Sequence, residues 1–175
     1  MEGIITAQRT ARMRIRKTVE ADIETLQTLI VAVWHHTYDR TIGARRVTEI
    51  TGEMHAPHRL KAELGHESAC SLVAVEAGRL IGHALGLRHA NGEMTLARLY
   101  VVPAAQRRGI GTALLQAVRA AGPDGAAVTL EVEEANQQAR AFYERSGFRI
   151  CGRRDSCQDQ AGIPILVMRW EHQNP

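Results

Sequence analysis

The chain has 175 residues, 45% hydrophobic and 23% charged, which excludes disordered, collagen-like and low-complexity readings and fits one domain with its own core. Its longest apolar run, residues 29–34, is far short of the ~18 residues a membrane helix needs. Three cysteines, Cys70, Cys151 and Cys157, are too few for a disulfide scaffold and point to a reducing, cytoplasmic setting, while a net charge of +3 is too mild to name a partner.

Residues 1–12 have no apolar h-region and no small-residue cleavage site, so they read as a disordered tail ahead of a single domain over 13–175. Residues 14–18 read as a short strand. Asp22 then precedes Ile23, Leu26, Ile30, Val33 and Trp34, spaced as one helical face. Residues 45–64 are polar with scattered apolar positions and suit one or two short helices. Residues 70–76 and 79–89 are strand-like and joined by Ala77-Gly78, a hairpin signal. Asn91-Gly92 is a strong turn dipeptide and leads into a long strand over 94–102. After a polar loop, Ile110, Leu114, Ala117, Val118 and Ala121 recur at helical spacing until Gly122-Pro123. Val128, Leu130 and Val132 alternate as a strand. Asn136 suits the N-cap of a helix running to Arg145, with Gly147 as its stop. Residues 148–152 and 163–170 supply two more strands. The sum is an α+β domain with a mostly antiparallel sheet and one embedded strand–helix–strand unit.

The richest segment is Leu99-Tyr-Val-Val-Pro-Ala-Ala-Gln-Arg-Arg-Gly-Ile-Gly-Thr112. A strand ends, a basic loop follows, and a helix starts at once. Helix N-termini carry unpaired N–H groups and positive potential, glycines admit a phosphate to the backbone, and Arg107 and Arg108 add charge. The same glycines equally suit a tight strand–helix turn. The loop lacks the third small residue of a dinucleotide fingerprint and the Gly-Lys-Ser/Thr of a P-loop. A second segment follows, Leu130-Glu-Val-Glu-Glu-Ala-Asn-Gln-Gln-Ala-Arg-Ala-Phe-Tyr-Glu-Arg-Ser-Gly-Phe148.

Together, Gln106-x-x-Gly109-x-Gly111 and Asn136-x-x-Ala139-x-x-Phe142-Tyr143-x-x-x-Gly147-Phe148 resemble the GNAT superfamily of acyl-CoA-dependent N-acetyltransferases. The resemblance implies a mixed sheet of six to seven strands flanked by about four helices. It implies acetyl-CoA as co-substrate, with the pyrophosphate held by Gln106, Arg107, Arg108, Gly109, Ile110, Gly111 and Thr112. The pantetheine arm would pair like a strand with Leu99, Tyr100 and Val101. Leu99 would offer its N–H to the thioester oxygen where charge develops. Asn136 would contact the arm, and Tyr143 would sit by the sulfur and protonate the departing thiolate. The order Leu130-Glu131-Val132…Tyr143 resembles ribosomal-protein alanine acetyltransferases and implies Glu131 as general base, with Glu133 and Glu93 as alternatives. Tyr143 suits core packing too, and each carboxylate suits a surface ion pair.

No metal is implied: His55-x-x-His58 has helical metal spacing but no companion ligands. No cysteine falls in either motif, which favours direct attack by the amine in a ternary complex over an acetyl-enzyme. Trp34-His-His-Thr37-Tyr38 and His58-Arg-Leu-Lys-Ala-Glu63 resemble spermine/spermidine-type acetyltransferases. The acceptor therefore stays open between a small amine or polyamine and a peptide amine. A protein N-terminus and aminoacyl-tRNA are the alternatives within the enzyme class, although no aromatic-interleaved basic stripe calls for nucleic acid. A non-catalytic acyl-CoA sensor is the reading from another class. A bacterial enzyme, without membrane association and with a homodimer admissible from the family, completes the expectation.

Overall fold

A computed structural model describes residues 12–155 and 164–172. The expected tail, apart from Arg12, and Cys157 lie outside the described residues. Chain order is β1 (Arg14–Lys17), α1 (Ile23–Ile42), α2 (Ala44–Met54), α3 (Pro57–Leu64), β2 (Ala69–Glu76), β3 (Arg79–Arg88), β4 (Met94–Val101), α4 (Ile110–Ala121), β5 (Val128–Glu133), α5 (Gln137–Arg145), β6 (Arg149–Asp155) and β7 (Pro164–Trp170). The seven strands form one sheet in the order β1-β2-β3-β4-β5-β7-β6. Only β4 and β5 are parallel, as the embedded strand–helix–strand unit requires. The fold class stands as expected, with five helices rather than about four. The extra helix arises at Ala56-Pro57, where proline at N1 starts α3 afresh. Asp22 precedes α1 but does not cap it. Its carboxylate accepts from the Val19 N–H at 2.9 Å and is gripped by both terminal nitrogens of Arg16 at 2.6 and 2.8 Å. A charged partner outbids the helix end for its oxygens.

The sheet buries both faces. One face carries Leu72, Ala74, Met94, Leu96, Leu130, Val132 and Met168 beneath Ile110, Leu114, Leu115 and Val118 of α4. The other lies against Ile23, Leu26, Leu29, Ile30 and Val33 of α1 and Leu60 of α3. Period-two alternation breaks once in β4. Gly86 pairs with Leu96 and Leu85 with Arg98, so Ala97 is an extra, bulged residue. The bulge brings Leu99 and Val101 onto the α4 face alongside Leu96, and turns Tyr100 and Val102 toward α1.

Helix α4 sits close because β3 is bare beneath it. A Cβ on Gly82 would stand 2.9 Å from Leu114 Cδ1, and one on Gly86 would stand 2.7 Å from Val118 Cγ1. Gly86→Ala should therefore destabilise by ~1–3 kcal/mol through overpacking. Urea unfolding checks this, and an unchanged midpoint would show that α4 can move away from the sheet without loss.

Candidate active site

β4 and β5 pair only at Met94–Val128, Thr95–Thr129 and Leu96–Leu130. Past Leu96 they part, and β5 keeps β7 as its neighbour through Glu133. The Val102 N–H donates to the Ile81 carbonyl at 3.0 Å. In an antiparallel ladder such bonded pairs alternate, so with Leu99 opposite Ala84 and Val101 opposite Gly82 these two residues turn their backbone groups away from β3, into the gap. Tyr100, opposite His83, turns its own N–H and carbonyl to β3. Of the three residues expected to pair with a pantetheine arm, Leu99 and Val101 thus offer the open backbone. The Val101 carbonyl is already taken by Gln106 Nε2 at 3.1 Å.

The loop ahead of α4 ends at the same mouth. Arg107 and Gly109 adopt left-handed φ of +59° and +80°, and alternation of this kind turns successive N–H groups inward as a nest. The N–H groups of residues 107–112 donate to nothing among the described residues; the first bonded donor is Ala113, to Gly109 at 3.0 Å. A Cβ on Gly109 would meet nothing within 4 Å, whereas one on Gly111 would touch Phe142 at 3.4 Å. Gly109 therefore supplies conformation and open space, and Gly111 supplies the close approach of α5. This cradle of free donors at a helix N-terminus suits a diphosphate. Arg108 is bound to Glu76 at 2.6 Å, Thr112 is exposed, and Ile110 anchors the turn in the core. Gln106 Oε1 accepts from Gln138 Nε2 at 3.0 Å and ties the loop to α5.

Asn136 caps α5, its Oδ1 accepting from the Ala139 N–H at 3.0 Å. Tyr143 lies two turns on, its ring edge-on to Phe142 and Phe148 at 5.2 and 5.7 Å. Burial pushes its pKa up, with Tyr100 adding, so the phenol stays protonated. Its hydroxyl makes no hydrogen bond among the described residues, which leaves it an unengaged donor.

The three carboxylates expected as bases are placed very differently. Glu93 stands at the far end of β4 and binds Arg169 at 2.7 Å. Glu131 is exposed and held by Arg154, with Nη2 at 2.6 and 2.5 Å from its two oxygens. Glu133, at the end of β5 beside the gap, is half-buried, and desolvation raises its pKa while a hydrogen bond from Tyr38 lowers it.

The α1 side of the gap holds a cluster that sequence reasoning only brushed. Trp34 and Tyr38 are tilted rings 5.0 Å apart, Trp34 Nε1 donates to Tyr100 Oη at 3.0 Å, and His55 stands edge-on to Trp34 at 5.6 Å and Tyr100 at 6.3 Å. Behind it Arg98 and Glu63 form a two-pronged ion pair, one contact being 2.8 Å. His83, cross-strand from Tyr100, binds the Leu72 carbonyl through Nδ1 at 3.0 Å. An isolated histidine in an apolar strand, as in Leu80-Ile-Gly-His83-Ala-Leu85, was the available signal for His83. His55 is buried and His58 exposed, so the helical pair does not share a face. No group of three or more metal-ligating side chains occurs among the described residues.

Three comparisons bear on this arrangement. The family model described as acetyltransferase (GNAT) domain matches residues 38–172. An uncharacterized N-acetyltransferase of Mycobacterium bovis is 36% identical over 85 residues, 47% of this chain and 54% of that protein. The peptidyl-lysine N-acetyltransferase YiaC of Escherichia coli is 41% identical over 75 residues, 43% of this chain and 48% of that protein. The chain thus spans about half the length of these two curated relatives. Among solved structures, the PaiA N-acetyltransferase of Thermoplasma acidophilum in complex with coenzyme A superposes with a TM-score of 0.78 at 24% identity, over 92% of this chain and 99% of that one, a likeness of fold.

The buried histidines give the site a pH signature. Burial, with Arg98 adding, pushes His83 down to about 3 and His55 down to about 4. Both are held neutral in the fold and protonate near 6.5 once unfolded. The unfolded state therefore binds more protons below that value, and stability present above pH 6.5 is lost as pH falls toward 4. Each histidine should cost roughly 2 kcal/mol by pH 5. Urea midpoints at pH 7 and pH 5 check this, and a His55→Phe variant should lose about half of the difference.

Proposed function

The chain belongs to the GNAT acetyltransferase domain family, and on that premise we propose that it moves the acetyl group of acetyl-CoA to a primary amine by direct attack in a ternary complex. The observation that carries this reading is the coincidence of two open backbone sets at one mouth: the free N–H groups of residues 107–112 and the unpaired edge of β4 at Leu99 and Val101. A thioester on a diphosphate-tailed arm is the ligand that uses both.

In this reading residues 107–112 hold the pyrophosphate, and Gln106, Arg107 and Arg108 border it. Leu99 and Val101 receive the arm and Tyr100 faces the acceptor. Acetyl-CoA supplies the activated acyl carbon and a thiolate leaving group. Glu133 takes the proton of the incoming ammonium, because it is the carboxylate at the gap with no cation bound to it, and its desolvation strengthens it as a base. Glu131, the carboxylate that the alanine-acetyltransferase resemblance pointed to, is committed to Arg154. The Leu99 N–H stabilises the oxygen that gains charge as the amine adds. Tyr143 returns a proton to the sulfur as the C–S bond breaks. A phenol with no hydrogen bond among the described residues favours turnover over a sensor that only binds.

A protein or peptide amine is the first acceptor to test, because the relative YiaC is named a peptidyl-lysine N-acetyltransferase. Acetyl-CoA with a panel of lysyl peptides, N-terminal peptides and polyamines should release CoA with at least one member. At ~100 times its Kd, acetyl-CoA should add ~2.7 kcal/mol, a rise in Tm of roughly 5–10 °C for a domain this size. No rise at millimolar acetyl-CoA would overturn the reading. Tyr143→Phe should keep that rise while lowering kcat ~100-fold or more where thiolate protonation limits. Wild-type kcat in that variant would make Tyr143 a packing residue.

A further inference from the structure

Arg119 lies in the last turn of α4, outside both sequence motifs. Its Nη2 donates to the Ser146 carbonyl at 2.9 Å. Its Cζ lies 4.0 Å from the centre of the Trp170 ring and 5.2 Å from that of Phe148. One side chain of α4 thus meets the C-cap of α5, the residue that leads into β6, and the end of β7. No carboxylate pairs with it among the described residues. Its Nε is buried without a hydrogen-bond partner, and burial pushes its pKa down. Holding a guanidinium there costs desolvation that a methionine of similar length would avoid. What the arginine adds is a donor for the Ser146 carbonyl.

Ser146 and Phe148 are the residues that close α5 behind Tyr143. The N–H groups of both donate to the Tyr143 carbonyl at 3.0 Å, and the Phe148 ring stands edge-on to the Tyr143 ring at 5.7 Å. Gly147, between them, takes φ of +87°, and a Cβ there would stand 3.3 Å from Trp170. Phe142 against Gly111 and Ser146 on Arg119 join α5 to α4 on either side of a cleft of about 310 Å³, which Thr112, Leu115, Gln116 and Arg145 border. The two contacts bracket Tyr143, the buried residue of α5. Without the second contact, the cleft gives the end of α5 room to turn about Phe142.

We propose that Arg119 is a positioning residue for the transfer: by holding the Ser146 carbonyl and the Phe148 ring it fixes the end of α5, and with it the direction in which Tyr143 presents its phenol. This rests on the reading of Tyr143 as the acid that protonates the leaving thiolate. The demand is geometric, because a proton donor must lie within hydrogen-bond reach of the sulfur as the C–S bond breaks. The Tyr143 hydroxyl has no hydrogen bond among the described residues to aim it, so its direction comes from ring packing and from the helix that carries it. A misplacement of about 1 Å at such a group costs up to ~100-fold in rate.

The test compares Arg119→Met, which keeps a stem between the two rings, with Arg119→Lys, which keeps a donor for the carbonyl. Ring-13C labelling of the three tyrosines, with the Tyr143 signal assigned by Tyr143→Phe, needs no acceptor. In Arg119→Met the Tyr143 signal should move while those of Tyr38 and Tyr100 stay in place. With the lysyl peptide or polyamine that releases CoA fastest, Arg119→Met should lower kcat by ~10- to 100-fold. The KM for acetyl-CoA should stay within about twofold, and the acetyl-CoA thermal shift should be kept. Arg119→Lys should lose less. In a Tyr143→Phe background, Arg119→Met should lower kcat by less than about twofold, because the two act as one unit. An unmoved Tyr143 signal, equal losses in the two Arg119 variants, or an undiminished loss in the Tyr143→Phe background would overturn the positioning role. So would a lost thermal shift, which would place Arg119 in the acetyl-CoA site instead. Wild-type kcat in Tyr143→Phe would overturn the acid assignment itself, and the positioning role with it.

Discussion

Two adjacent strands in a sheet satisfy most backbone groups by pairing along their whole length, and β4 and β5 stop doing so after Leu96. The cause is local. Ala97 is inserted as a bulge, which bends and twists β4 while β5 stays on course with β7. Donors and acceptors are left open along one edge of β4, and an open edge invites an extended ligand. The turn after β4 then delivers the N-terminus of α4 to the same mouth. The parallel pairing of β4 and β5 makes this possible, since both strands point their C-terminal ends toward it. Tyr143 and Glu133 are carried toward it by different elements, α5 and β5.

Much of this was legible in the chain because local rules and fold agree. Asn136 and Gly147 bound α5 as cap chemistry requires, Ala77-Gly78 closes a hairpin, and Gly122 ends α4. The glycine loop could be seen as an anion cradle from its composition. The choice among acids could not. Glu131 and Glu133 differ by two positions on one strand face, and period-two patterning treats them alike. What separates them is Arg154, brought beside Glu131 by β6, whose pairing with β7 joins residues far apart in the chain. The bulge was half-visible: Met94, Leu96, Leu99 and Val101 break strict alternation by one step. The aromatic cluster of Trp34, Tyr38 and Tyr100 joins α1 to β4 across more than sixty residues, and no local signal carries such a contact.

Twenty of the 22 basic residues are arginines, and long-range contacts decide what several of them do. Arginine can suit phosphate or nucleic acid, but here several arginines are paired within the protein. Arg16 binds Asp22, Arg98 binds Glu63, Arg108 binds Glu76, Arg153 binds Glu134, Arg154 binds Glu131, and Arg169 bridges Glu93 and Glu171. Arg119 lies over Trp170 at 4.0 Å instead. Exposed pairs of this kind add little stability individually. Their effect on the site is subtractive: they remove competing cations from Glu133 and competing acids from the cradle, where a free carboxylate would repel a diphosphate. Arg108 is the instructive case. Its pairing with Glu76 turns one of the two loop arginines into a tether between the cradle and the end of β2.

The two loop glycines, one residue apart, answer to different constraints, and the difference explains how one helix serves both core and ligand. α4 must bury Ile110, Leu114, Leu115 and Val118 against β3, and it can do so only because Gly82 and Gly86 leave room for them. That seating fixes where the first turn of α4 lies. Gly109 lets the chain enter the turn with φ of +80°, so the N–H groups converge on the nest instead of being spent on a preceding turn. Gly111 then lets Phe142 close to 3.4 Å of where a Cβ would be, which draws α5 against α4 and carries Tyr143, the next residue, with it. A larger residue at 109 would strain the backbone of the cradle; one at 111 would push α5 outward and take the phenol away from the gap. In the proposed reading the two glycines therefore separate in their effects: a change at 109 disturbs the cradle for the diphosphate, and one at 111 moves the phenol that would serve the sulfur.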